Sequence, residues 1–228
     1  MYPQLPLPFT LQEDFNFESF IAAGNQLIVE SLKNPDEPFI FLWGSLGAGK
    51  THLLQSACQY QTQLGGTASY LPSKELTNTS PQLLDGLANI DLICIDDIES
   101  LYGKPYWEEA LFNLFNQIRQ VGGRLVVSST VSPQHAEITL DDLKSRLNSG
   151  LPLNLSTLDD ESILQVLQSR AQKLGLELNR ETANYLITHF PRDLHTLWNL
   201  LNQLDQASLA AQRKLTIPFL KAALAKSI

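Results

Sequence analysis

Cysteine is scarce in this 228-residue chain, and the two that occur, Cys58 and Cys94, lack the paired spacing of a zinc site and cannot build a disulfide framework. Each falls inside an apolar pattern, one helical and one extended, so both read as small core residues of a reducing compartment. Apolar runs of the roughly 20 residues that a helix needs to cross a bilayer are lacking, which argues against a membrane span. No basic stretch followed by an apolar segment opens the chain, and the expectation is a cytoplasmic protein. Positive charge is also in deficit. Sixteen Lys and Arg against 24 Asp and Glu leave a net charge of −8, a poor basis for a broad phosphate-neutralising surface. A protein partner is favoured over direct DNA binding. Internal repeats and low-complexity tracts are missing too, and what remains is the apolar content of one or two ordinary globular domains.

The most informative stretch is Gly44, Ser45, Leu46, Gly47, Ala48, Gly49, Lys50 and Thr51, a complete phosphate-binding P-loop. Its glycines allow backbone N–H groups to turn inward around phosphates, Lys50 offers a point charge near the β and γ phosphates, and Thr51 offers a hydroxyl to Mg²⁺. The apolar run Pro38 to Trp43 before it reads as a buried strand. His52 onward continues as a helix whose N-terminal end faces the same anion. A nucleoside triphosphate or diphosphate with Mg²⁺ is the expected ligand.

Around this motif the pattern alternates strand and helix. Asn16 to Leu32 has helix-like stretches, the helix after the P-loop ends near the Gly65-Gly66 pair, and Thr67 to Leu71 is a short strand candidate. Pro81 to Ala88 reads as a short helix, and Leu92 to Ile95 reads as a central parallel strand buried on both faces. Tyr106 to Val121 repeats apolar residues at a helical period before another strand at Arg124 to Thr130. These predict an α/β fold with a parallel sheet flanked by helices. Beyond Leu155 the pattern turns wholly helical. A capping-box spacing from Thr157 to Asp160 opens a helix reaching about Leu174, and further helices are expected over Arg180 to His189, Asp193 to Ala211 and Ile217 to Ala225. Pro191 separates two of them, and Pro218 suits a first turn. The expected organisation is an extended arm over 1–14, an α/β nucleotide-binding domain over 15–155 and a small all-α lid over 156–228.

Three further groups carry candidate chemistry. Asp96 and Asp97 close the Leu92 to Ile95 strand as a Walker B pattern, with Asp96 a candidate Mg²⁺ ligand and Asp97 a candidate activator of water. Two acidic residues can simply terminate a strand, and it is the P-loop upstream that favours the functional reading. Ser128, Ser129 and Thr130 end the next strand, where hydroxyls serve as turn formers more often than as phosphate sensors. Arg146 ends the short helical segment from Asp142. A guanidinium from a surface helix can stabilise a transferring phosphoryl group in a neighbouring subunit, although composition alone makes it an ordinary solvated arginine.

Taken together, the P-loop, the Asp96-Asp97 pair, the Leu111 to Asn116 run, the Ser-Ser-Thr strand end, the Leu143 to Arg146 segment and the helical tail resemble the AAA+ domain of the bacterial DnaA family. Within it, the stretches Asp205 to Ser208 and Ala211 to Phe219 resemble the regulatory inactivators of the initiator, and so does an end after the lid where an initiator continues into a DNA-binding domain. The arm Gln4, Leu5, Pro6, Leu7, Pro8 and Phe9 is similar to the short peptide by which such regulators engage the sliding clamp. Its prolines keep it extended, so docking costs little conformational entropy, and Leu5, Leu7 and Phe9 offer apolar anchors beside Gln4.

The resemblance implies that residues 44–51 bind phosphates, Asp96 holds Mg²⁺, Thr130 occupies the sensor position and Arg146 is an arginine finger acting on an adjacent initiator molecule. It also implies that Phe17, Phe20, Ile21 and Asn25 lie near an adenine-contacting loop. Two positions depart from the family pattern. His195 stands where the lid usually carries an arginine, with Arg192 a candidate substitute on nearly the same helix face, and Thr130 replaces a common acidic residue. These departures predict a protein that holds ADP and hydrolyses ATP poorly alone. The leading functional expectation is a regulator of chromosomal replication initiation, tethered to the clamp and so to the nucleoid, that provokes hydrolysis of DnaA-bound ATP. DNA contact would then be indirect, with a homodimer left open. An autonomous AAA+ loader or remodelling ATPase and a clamp-binding adaptor with a structural nucleotide are the alternatives.

Overall fold

A computed structural model describes residues 11–224 except 13, 23, 193 and 212–214. The arm at Gln4 to Phe9, expected to engage the sliding clamp, therefore lies outside the described residues. The chain divides into two compact units, one ending at Ser156 and the other beginning at Thr157, with loop residues 46–48 grouped with the second.

In the first unit the elements run α1 (Gln26–Lys33), β1 (Phe39–Trp43), α2 (Lys50–Gln63), β2 (Ala68–Pro72), α3 (Ser73–Leu76), β3 (Leu92–Asp96), α4 (Pro105–Val121), β4 (Arg124–Ser129), α5 (Asp141–Asn148) and β5 (Leu151–Asn154). The five strands form one parallel sheet in the order β2-β3-β4-β1-β5. Side chains alternate across a strand, so the sheet has two apolar faces to cover. Phe39, Phe41, Ile93, Ile95, Leu125 and Val127 pack with Leu111, Phe115 and Ile118 of α4 and Leu143 and Leu147 of α5. The alternate residues, including Ile40, Leu42, Cys94 and Val126, are buried as well, and α2 lies along β2 and β3 with Cys58 beside Cys94. Both cysteines are buried and unbridged, with burial raising the Cys94 thiol pKa.

The second unit contains α6 (Asp160–Lys173), α7 (Arg180–His189), α8 (Leu194–Ala211) and α9 (Ile217–Leu224). Leu164, Leu167, Leu186, Leu197, Leu201, Leu204 and Leu220 meet in its core. The helix expected from Thr157 starts later, because Asp159 is the N-cap and accepts the Ser162 amide at 2.8 Å. No capping box forms.

One expectation is narrowed, and one strand is added. Asn16 to Leu32 is helical only from Gln26, since the Asn16 side chain closes local turns with the amides of Glu18 and Ser19. β5 was not anticipated because Leu151-Pro152-Leu153-Asn154 has proline in its middle; it lies at the sheet edge, where a missing N–H is tolerated.

Candidate active site

β1 feeds directly into the P-loop, and its neighbours fix how the chain leaves the sheet. The Gly44 amide donates to the Ser129 carbonyl at 3.1 Å, and a Cβ on Gly44 would stand 2.4 Å from the Leu155 carbonyl oxygen. Only glycine admits that approach. Gly49 has φ of 103°, and a Cβ there would meet the Phe20 ring at 3.0 Å. Lys50 opens α2, buried, and its ammonium donates to the carbonyls of Gly44 at 2.8 Å and Ser45 at 3.0 Å. Burial lowers its pKa, while the charges of Asp97, Glu99 and Asp96 act the other way. A phosphate would replace the two carbonyls with a better partner for that charge.

Asp96, at the carboxyl end of β3, is the hub of the site. Its Oδ2 accepts from Thr51 Oγ1 at 2.7 Å and from the Tyr70 hydroxyl at 2.8 Å, and its Oδ1 accepts from Ser128 Oγ. Burial and then the Asp96 charge push the Tyr70 phenol pKa far up, so it stays a neutral donor. Among the described residues no group of three or more His, Cys, Asp or Glu could hold a metal by itself. The Thr51 and Asp96 oxygens nevertheless converge: two adjacent Mg²⁺ ligands at about 2.0–2.1 Å lie about 2.9 Å apart, close to the spacing seen. The pair fits a magnesium ion, which Thr51 and Asp96 would hold together with waters and phosphates and which would supply charge neutralisation there.

Asp97 follows in the left-handed region, with φ of 52°, and is the non-glycine residue with positive φ among those described. Its amide donates to Ser128 Oγ at 2.9 Å, and its Oδ2 meets the Lys74 ammonium of α3 at 2.6 Å. That pairing raises the Lys74 pKa. Asp97 thus stands at the strand end, but a cation already occupies the carboxylate that would polarise water. Glu99 sits one turn on; its Oε1 accepts the Thr130 amide at 3.0 Å, and its Oε2 is buried without a partner among the described residues. The strand-end hydroxyl that reaches the hub is Ser128, while Thr130 lies exposed beyond β4.

The segment before α1 packs against α2. His52 stacks on Phe15 with ring centroids 4.6 Å apart and meets Phe20 edge-on, and its Nε2 lies 3.0 Å from the Asn16 carbonyl oxygen. Ile21 is half-buried beside this cluster in sequence. Asn25 is buried and exchanges two hydrogen bonds with Ser156, Nδ2 to the carbonyl at 3.3 Å and Oδ1 from the amide at 3.2 Å. Its amide is committed to closing the unit. Arg146 stands half-exposed on α5, with no ion pair for its guanidinium among the described residues. In the lid, Arg192 is exposed and pairs with Asp160 at 2.9 Å, and the His195 side chain lies outside what is described. Tyr70, Lys74 and Glu99 were missed in the sequence. A tyrosine in a strand and charged residues after strands carry no local signal, because their role depends on which strands become neighbours.

Residues 11–154 match the model of the bacterial DnaA ATPase domain, and residues 159–224 match that of the Hda lid domain. This chain belongs to the DnaA-related AAA+ family. It is Hda-like in its lid. An uncharacterized protein of Haemophilus influenzae shares 42% identity over 226 residues, covering 97% of this chain and 98% of that protein. Among solved structures, domain III of the Thermotoga maritima replication initiation protein DnaA superimposes with a TM-score of 0.83 at 24% identity, covering 96% of this chain and 98% of that one. AMPPCP-bound DnaA from Aquifex aeolicus superimposes with a TM-score of 0.76 at 24% identity, over 88% of this chain and 67% of that one. At those identities the structural likeness speaks for the AAA+ fold, which the parallel sheet and helical lid share. Among the described residues no helix is long and apolar enough to cross a membrane.

Proposed function

We propose that this DnaA-related AAA+ protein holds ADP or ATP with Mg²⁺ in its P-loop and regulates replication initiation by stimulating hydrolysis of ATP bound to DnaA. Residues 44–51 cradle the phosphates, Lys50 supplies charge, Thr51 and Asp96 hold the metal, and Ile21 belongs to the segment nearest the base. Arg146 acts in trans as an arginine finger, a role worth about a thousandfold or more in rate. The arm at Gln4 to Phe9 engages the sliding clamp, so DNA is reached through the clamp. Thr130 at the strand end and either Arg192 or His195 in the lid are the sensor candidates, Thr130 and His195 standing in place of the acidic residue and the arginine more usual there.

The observation that carries this reading is a contrast between two side chains. Asp97, the group an autonomous ATPase would use on water, is paired with Lys74, whereas Arg146 has no partner of its own among the described residues. A bound nucleotide then acts as a conformational ligand, and the chemistry takes place on the partner. Reconstituted hydrolysis of DnaA-bound ATP on clamp-loaded DNA tests it. Arg146→Ala and deletion of residues 4–9 should each abolish stimulation while leaving nucleotide binding intact. Full stimulation by the Arg146 variant would leave a clamp-binding adaptor, and brisk turnover by the isolated protein would leave an autonomous ATPase.

A further inference from the structure

Glu108 is completely shielded from solvent in the first turn of α4, yet no cation pairs with it among the described residues. It is held by neutral donors instead. The Gly103 amide donates to Oε1 at 2.7 Å, the Thr139 amide and hydroxyl to Oε2 at 3.1 and 2.5 Å, and the Leu140 amide to Oε2 at 2.8 Å. Burial alone would raise the pKa, but these donors prevail and lower it, so the carboxylate stays ionised. Burying an anion among neutral partners is an expensive way to join two loops. The loops joined explain it.

Gly103 follows the 3₁₀ turn Ile98–Leu101 that leaves Asp96 and Asp97, and Thr139 and Leu140 lead directly into α5. Leu140 is the N-cap of α5 and offers no side-chain cap, so an orphan amide at that entry is satisfied by Glu108. With eight residues, α5 is too short to hold itself together. Its orientation comes from Leu143 and Leu147 beneath it and from this anchor at its start. We propose that Glu108 is the positioning residue for Arg146, fixing the helix that carries the guanidinium; the proposal rests on the reading of Arg146 given above.

The test uses the full-length protein, with Glu108→Gln as the main variant, Thr139→Val as a milder one that removes a single donor, and Arg146→Ala as reference. Amide hydrogen exchange is measured without any partner. Glu108→Gln should accelerate exchange over residues 139–148 by about tenfold or more, with the amides of β1, β3 and β4 unchanged. Nucleotide affinity by calorimetry should stay within about twofold, as no donor to the phosphates is touched. Stimulated hydrolysis of initiator-bound ATP should lose about a hundredfold in kcat with its half-saturating concentration little changed, because a misplaced finger costs rate more than binding. Thr139→Val should repeat both effects at smaller scale and serves if the glutamine variant does not fold. Unaltered exchange over 139–148, or wild-type kcat with loosened exchange, would overturn the proposal. If Arg146→Ala itself keeps full stimulation, the trans-acting reading falls, and with it the proposed role of Glu108, even where exchange shows α5 to be anchored.

Discussion

In the lid, Leu167, Leu186, Leu201 and Leu204 are shielded among other aliphatic side chains, and Thr182 is the buried polar side chain among its described residues. In the α/β unit, Asn25, Lys50, His52, Asp96, Glu108 and Ser128 are buried alongside the strands, each with hydrogen-bond partners. One unit is held by non-directional apolar burial, which tolerates rearrangement provided volume is kept. The other fixes groups at defined angles, which tolerates little. A site that must meet phosphates and a metal needs the second kind of interior.

The sharpest way to break the comparison is to damage the apolar core. Leu201→Ala, at a position with no solvent exposure, should cost the lid about 2–5 kcal/mol and lower its urea midpoint, with exchange in the sheet unaffected. Collapse of both units together would show that the two interiors stabilise each other. Next in size, Asp96→Asn leaves the Thr51, Tyr70 and Ser128 hydroxyls around a neutral amide with one acceptor oxygen. It should cost about 1.5–3 kcal/mol in the α/β unit, and the magnesium-dependent part of nucleotide binding should vanish in calorimetry.

How much of this was legible follows the same division. The lid helices could be read from apolar spacing and proline positions, since one helix at a time carries that signal. The P-loop, β3 and the Asp96-Asp97 pair were also legible, because strand, loop and helix are consecutive there. What the chain hides is set by strand order. Tyr70 reaches Asp96 because β2 lies beside β3, and Ser128 reaches it because β4 lies on the other side. Glu108 looks like a helix-start acid and is instead the anchor of a loop some thirty residues onward.

Smaller effects sharpen the contrast. Asn25→Ala removes both hydrogen bonds to Ser156 at a buried site and should cost about 1–3 kcal/mol, measured by urea denaturation of the α/β unit. In the lid, Asn179 caps α7 by accepting the Thr182 amide at 2.8 Å, and Asn179→Ala should cost about 1 kcal/mol. The smallest signal is pH-dependent. Burial lowers the His52 pKa below its ordinary 6.5, opposed by the Asn16 carbonyl and the Asp14 charge, so the unfolded chain takes up the proton first. The stability contributed by neutral His52 is therefore full above about pH 6.5 and is lost as pH falls from there through the folded value. His52→Phe, which keeps a ring against Phe15, should flatten that slope in urea midpoints compared between pH 7.5 and 5.5. Glu108, with its pKa lowered, contributes stability that is full above the ordinary carboxylate value and is lost as pH falls from there through the folded value.

The Asn25 and Ser156 pairing also has a mechanical meaning. Asn25 stands just ahead of α1 and Ser156 closes the α/β unit, the two bridged by a pair of amide hydrogen bonds. A load drawn from the chain ahead of Asn25 would first peel Gln12, Phe15 and Phe20 from α2, and would then reach that clasp before the sheet. The five strands would bear it only after those two hydrogen bonds gave way.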